Sequence, residues 1–167
     1  MSDSNLYDDD ILLWSEQQAA VIRRLRETAR GLPNELDIEN VAEEIEGVGR
    51  SELATVQSFI RLILLHLIKL AVETDSAAAG HWQSEVTGFH SDLTHHYAAS
   101  MRQRIGIDEL WATARQQARS SADREAVGRL PASCPFDIDD LVVRPIDVAG
   151  LVERLQTLSE PRERRDG

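Results

Sequence analysis

The stretch SELATVQSFIRLILLHLIKLAV, residues 51 to 72, decides the fold. Leu53, Val56, Phe59, Ile60, Ile63, Leu64, Leu67, Ile68 and Leu70 recur at three- and four-residue steps, the period of an α-helix. They leave little polar face, and a helix that is apolar nearly all round belongs at the centre of a bundle. Ser51 is placed to cap its start. Arg61, His66 and Lys69 interrupt the run FIRLILLHLIKLAV, which by itself is too short to span a bilayer.

Outward from that segment the helical period continues and no segment alternates like a strand. Upstream, Ile11, Trp14, Ile22, Leu25 and Ala29 mark a first helix, opened by Asp8, Asp9 and Asp10 and stopped by Gly31 and Pro33. Asp37 caps a short second helix carrying Ile38, Val41, Ala42, Ile45 and Val48, with Gly47 and Gly49 expected to end it. Downstream, residues 74 to 81 read as a connector. Trp82, Val86, Phe89, Leu93 and Tyr97 then define a fourth helix, and Leu110, Trp111, Ala114, Ala118 and Ala122 a fifth. LPASCPF (130 to 136) is irregular, IDDLV a helical turn, and VAGLVERLQTL (148 to 158) a last amphipathic helix. The tail at 159 to 167 is expected to be disordered. The expectation is an all-α, single-domain bundle over residues 1 to 158, with about five to six helices around residues 51 to 72.

The 167 residues are enough for one domain with a real core, and the net charge of -11 narrows the choice of partner. Nucleic-acid binding and docking on anionic membranes both need positive charge, so neither is expected. A basic protein or a second copy of the chain is compatible. One cysteine, Cys134, allows no internal disulfide. The acidic opening MSDSNLYDDD lacks the basic and apolar pattern of a signal peptide. A cytoplasmic protein is expected. Neither GxGxxG nor GxxxxGK[ST] occurs, and no cofactor or catalytic residue is assigned.

DIENVAEEIEGVGRSE, residues 37 to 52, concentrates Asp37, Glu39, Glu43, Glu44, Glu46 and Glu52. Glu43 and Glu46 have the spacing of carboxylates that share a helix face. Di-metal bundles add Glu-x-x-His on two helices, and no Glu-x-x-His occurs in this chain. His66 could supply a nitrogen only if it came near. With a hairpin at Gly49 it lies roughly 15 Å from the level of Glu43, and with a straight helix about 35 Å. The fourth helix adds His81, Glu85, Asp92, His95 and His96, but its two i, i+4 pairs are roughly 16 Å apart. Glu43, Glu46, His66, Asp92 and His96 are therefore the metal candidates of a rival, enzymatic reading, in which helix carboxylates and histidines act in metal-dependent or hydrolytic chemistry.

The preferred reading makes the glutamates structural or solvated, with Arg61 near Glu39, and lets RRLRETAR (23 to 30) pair with the acidic helix. His66 reads as a core histidine bonded to a carbonyl or an acid. Glu39, Glu43 and Glu46, with Leu151 and Leu155 on the last helix, are the candidate interaction residues. Leu151, Val152, Leu155 and Leu158 would either cap the bundle or join a symmetric partner.

LYDDDILLW (6 to 14), LDIENVAEEIEGVGRSE (36 to 52), LILLHLIKL (62 to 70) and CPFDIDDLV (134 to 142) resemble domain-of-unknown-function family 29, an all-helical bacterial family. The EEIE-x-x-G-R-S-E string with HLIK downstream is the specific part, and the resemblance covers about residues 6 to 144. It implies a compact α-helical fold and no established activity, so no catalytic residue is carried over. The chain departs from the family pattern after Trp82, where QSEVTGFHSDL stands in place of a basic stretch. The helix at 148 to 158 is an addition.

Overall fold

A computed structural model describes residues 6 to 160. The disorder expected of the tail falls mostly on residues 161 to 167, outside the described residues. The elements are α1 (Leu6–Asp9), α2 (Ile11–Thr28), α3 (Ile38–Val72), α4 (Ala79–His96), a 3-10 helix (Ala99–Arg104), α5 (Ile107–Ala118), α6 (Arg124–Arg129), α7 (Ile138–Val142) and α8 (Val148–Ser159). There is no strand among the described residues, and the fold is all-α. Contacts divide the chain into two compact units, one of residues up to 56 with 96 to 105, the other of residues 57 to 95 with 106 onward.

The principal departure from expectation is α3. The short acidic helix and the core helix are one continuous helix of 35 residues, so Gly47 and Gly49 do not end it and Ser51 caps nothing. Instead the Ser51 carbonyl accepts a hydrogen bond from the Thr55 hydroxyl at 3.0 Å, in mid-helix. Each glycine costs a helix only about 1 kcal/mol, which packing overrides. Gly49 also has a positive reason to be there. A Cβ at this position would collide with Ser15 Oγ and stand 3.0 Å from Leu12 Cα. Only a residue without a side chain lets α3 and α2 approach this closely.

In the first unit, Leu12, Ser15 and Ala19 of α2 are buried, as are Ile38, Ala42 and Val56 of α3. Leu12 and Ser15 meet Gly49, whereas Arg23, further along α2, meets Glu39 and Glu46. The pairings run in opposite directions, so α2 and the first part of α3 form an antiparallel hairpin. Asp10 holds two elements at once. Its side chain accepts from the Leu13 amide, capping α2, and from the amide and hydroxyl of Ser100 at 3.2 and 2.6 Å.

In the second unit, α3 contributes Ile60, Ile63, Leu64, Leu67 and Ile68, all fully buried. These residues form the apolar centre of the second unit. The run from 59 to 72, by itself too short for a bilayer, lies within the longer helix α3. Within α3 an 18-residue window has a mean hydropathy of 1.6, long and apolar enough to cross one, but half of that window is buried by the chain itself. Trp111 of α5 is completely buried, donates from Nε1 to the Pro131 carbonyl at 2.9 Å, and packs edge-on against Phe136. The Arg154 guanidinium of α8 lies over the Phe136 ring and pairs with Asp140, tying α8 to α7. Two short helices carry their own caps: Asp123 accepts from the Glu125 and Ala126 amides of α6, and Asp137 forms a capping box with Asp140 at α7. The sequence reading had no helix at α6.

Leu151 and Leu155 are buried in the second unit. Of the two roles left open for them, they take the one inside the fold. As candidate interaction residues they are corrected, because a side chain already covered by its own chain has no surface to offer a partner.

Candidate functional site

The acidic cluster on α3 is organised by one guanidinium. Arg23 Nε donates to Glu39 at 2.9 Å, while Nη1 and Nη2 reach the two oxygens of Glu46 at 2.5 and 3.0 Å. Glu43 stands 3.8 Å from the same guanidinium and accepts from Arg50 at 2.6 Å. The bond from Arg23 holds the Glu46 carboxyl below the usual carboxylate range, and the carboxylates raise Arg23 in turn. Glu39, Glu43 and Glu46 are thus held in place by two arginines, Arg23 and Arg50. The partner expected from the core helix did not appear: Arg61 donates to Gln117 at 2.7 Å instead of pairing with Glu39. The hairpin register that suggested that pair assumed a turn at Gly49, and α3 does not turn.

The histidines are dispersed. His66 Nδ1 donates to the Leu62 carbonyl at 2.8 Å, and its Nε2 faces Glu85 Oε2 at 2.8 Å. Phe89 covers the ring, and the exposed His81 stands 3.4 Å from the same Glu85 oxygen. These partners orient the His66 ring and include no nucleophile. His96 donates from Nδ1 to Glu52, 44 residues away in sequence. Asp92 is exposed. Glu43 and Glu46 are engaged by arginines, so the metal candidates Glu43, Glu46, His66, Asp92 and His96 are not brought together. Among the described residues no three His, Cys, Asp or Glu side chains are placed to hold one metal ion.

Two groups escaped sequence reasoning. His90 is buried, and its Nε2 donates to the Val143 carbonyl at 2.9 Å. Burial depresses its pKa, and the Arg144 charge adds to the effect. Its place between Val86 and Leu93, on their apolar stripe, was the available signal. Arg115, Arg119 and Arg124 line one cleft, a grouping invisible in sequence because α5 and α6 were not both expected. Cys134 is partly buried, and desolvation pushes its thiol up to about 11. Such a thiol is little ionised near neutral pH.

These features define an all-helical protein whose acidic cluster on α3 is held by arginines. Residues 6–147 match the model of the family described as domain of unknown function DUF29, and the chain belongs to that family. The match ends just before α8 begins. The chain is also similar to a crystal structure of an alpha-helical protein of unknown function from Rhodospirillum rubrum ATCC 11170. The two are 31% identical, with a TM-score of 0.82, over 89% of this chain and 96% of the other. No curated protein matches the sequence.

Proposed function

We propose that this protein is a non-enzymatic interaction module that self-associates through the outer face of the α2–α3 hairpin. One observation carries the reading. Of the eight large hydrophobic residues exposed among the described residues, six lie in the first unit: Tyr7, Val21, Leu25, Leu36, Val41 and Val48. Concentration on one unit is what separates a contact surface from scattered surface apolar residues. Val41 and Val48 are seven residues apart, on one face of α3, with the half-buried Ile45 between them.

The charges favour a second copy as the occupant. The end of α2 exposes Arg24 and the residues just after it Arg30, while the approach to α3 and its first turns expose Glu35, Asp37 and Glu44. A two-fold axis sets each such patch against the opposite patch of its mate, the self-complementary arrangement of an isologous dimer. Glu39, Glu43 and Glu46 then act indirectly, by fixing the hairpin through Arg23.

Light scattering of the full chain over a concentration series tests this. Dimer mass is expected for the wild type, and monomer mass with unchanged helical circular dichroism for Val41→Lys combined with Val48→Lys. A wild type that stays monomeric throughout, or a double variant that stays dimeric, overturns the reading.

A further inference from the structure

One concavity of the second unit reverses the charge of this acidic chain. A cleft of about 670 Å³ is lined by Ala112, Arg115, Gln116, Arg119, Ser120 and Arg124, with no carboxylate among them. Arg115 and Arg119 are four residues apart, where like charges on a helix repel. Arg119 leans towards α6: its Nη2 lies 3.6 Å from where a Cβ on Gly128 would stand. Arg115 is fixed by a bond from Nη2 to the Leu130 carbonyl at 3.1 Å. Its Nε is buried and has no acceptor among the described residues. An unpaired buried donor is a costly arrangement that native folds avoid.

The neighbouring acids are directed elsewhere. Asp123 caps α6, Glu125 pairs with Arg129 at 3.0 Å, and Glu73 accepts from the Asp123 amide at 2.7 Å. Burial lowers the Arg115 pKa, and the Arg119 charge lowers it further, as expected of cations collected without a counter-ion.

We propose that this cleft binds the phosphate group of a small phosphorylated molecule. A tetrahedral dianion offers three or more oxygens, enough for each guanidinium to donate to one. A carboxylate, with two oxygens and one charge, would leave a guanidinium unmatched. Gln116 and Ser120 offer uncharged hydrogen bonds to the remainder of the ligand, and the volume lies within the range of small-molecule sites.

Calorimetric titration of the full chain with inorganic phosphate and with pyrophosphate, at constant ionic strength, tests the proposal. Saturable binding at one site is expected, weakened about tenfold in Arg119→Gln and again in Arg124→Gln. Arg26→Gln, which removes the same charge from α2, should bind as the wild type does. Failure of both phosphates to bind saturably would overturn the proposal. So would equal weakening in Arg26→Gln, or acetate binding as tightly as phosphate. Because both tested arginines are exposed, circular dichroism of the variants should match the wild type.

Discussion

Arg23 closes on Glu46 with both terminal nitrogens, one to each carboxylate oxygen, and so pins α2 to α3 from inside an otherwise repulsive row of acids. The Glu46 carboxyl is held below its ordinary value of 4.5, chiefly by this bond. A group depressed in the folded state contributes stability above its unfolded pKa and loses it as pH falls through the folded one. Glu46→Gln should therefore be less stable than the wild type near neutral pH, and the two should converge as pH drops below about 4.5. Urea midpoints across that range would show it. Parallel curves would mean that the pair does not contribute. Added salt should narrow the neutral-pH difference, because both side chains are partly exposed.

Gly47 and Gly49 should respond to alanine with opposite signs. At Gly47 the nearest atom to an added Cβ is the flexible tip of Arg50, 3.7 Å away, so the gain in helix propensity is free to act. Gly47→Ala should stabilise by roughly 0.5–1 kcal/mol. Gly49→Ala gains the same propensity but forces α2 outward, and should be net destabilising by about 1–3 kcal/mol. Thermal melts of the two variants decide the point. Equal shifts would refute the close approach.

His90 predicts a pH dependence of its own. With its folded pKa below the ordinary 6.5, the unfolded chain takes up the proton first as pH falls. Stability should then rise with pH through the window just below about 6.5 and level off above it. His90→Gln keeps a donor for the Val143 carbonyl and removes the titration, so its profile should be flatter in that window. An unchanged slope would remove His90 as its source.

Leu155 is fully buried on α8. Leu155→Ala should cost about 2–5 kcal/mol, the usual range for deleting a buried leucine side chain. Denaturant titration measures it, and a loss well under about 1 kcal/mol would indicate that α8 is loosely held.

Cys134 should alkylate slowly. A thiol raised from 9.0 to about 11 has roughly a hundredfold less thiolate near pH 8 than an ordinary one. Iodoacetamide should react with the native chain far more slowly than with the chain in denaturant. Comparable rates would show that the thiol is not shielded.

Periodicity located most of the helices because it records which face is covered, and covering decides where a helix lies. Val86, Leu93, Trp111, Leu151 and Leu155 were all legible on that basis. The break expected at Gly47 and Gly49 was misread because local propensity is weak, and the reason for Gly49 is an atom of Leu12, 37 residues earlier. Ion pairs were the least legible level. The run RRLRETAR was expected to pair with the acidic helix and Arg23 does so, but spacing along one helix says nothing of which carboxylates it takes, nor of the carboxylate that His96 finds on Glu52. The arginine cleft needed a helix of only 6 residues, α6, too short for a periodic signal.

The sealed indole of Trp111 gives the second unit a built-in fluorophore, since solvent reaches that ring only when the packing around Phe136 comes apart. Trp14, set edge-on to Tyr7, reports from the other unit. Chains that retain one of these two chromophores, with Trp82 changed to Phe, would reveal through emission alone whether the two units melt in a single step.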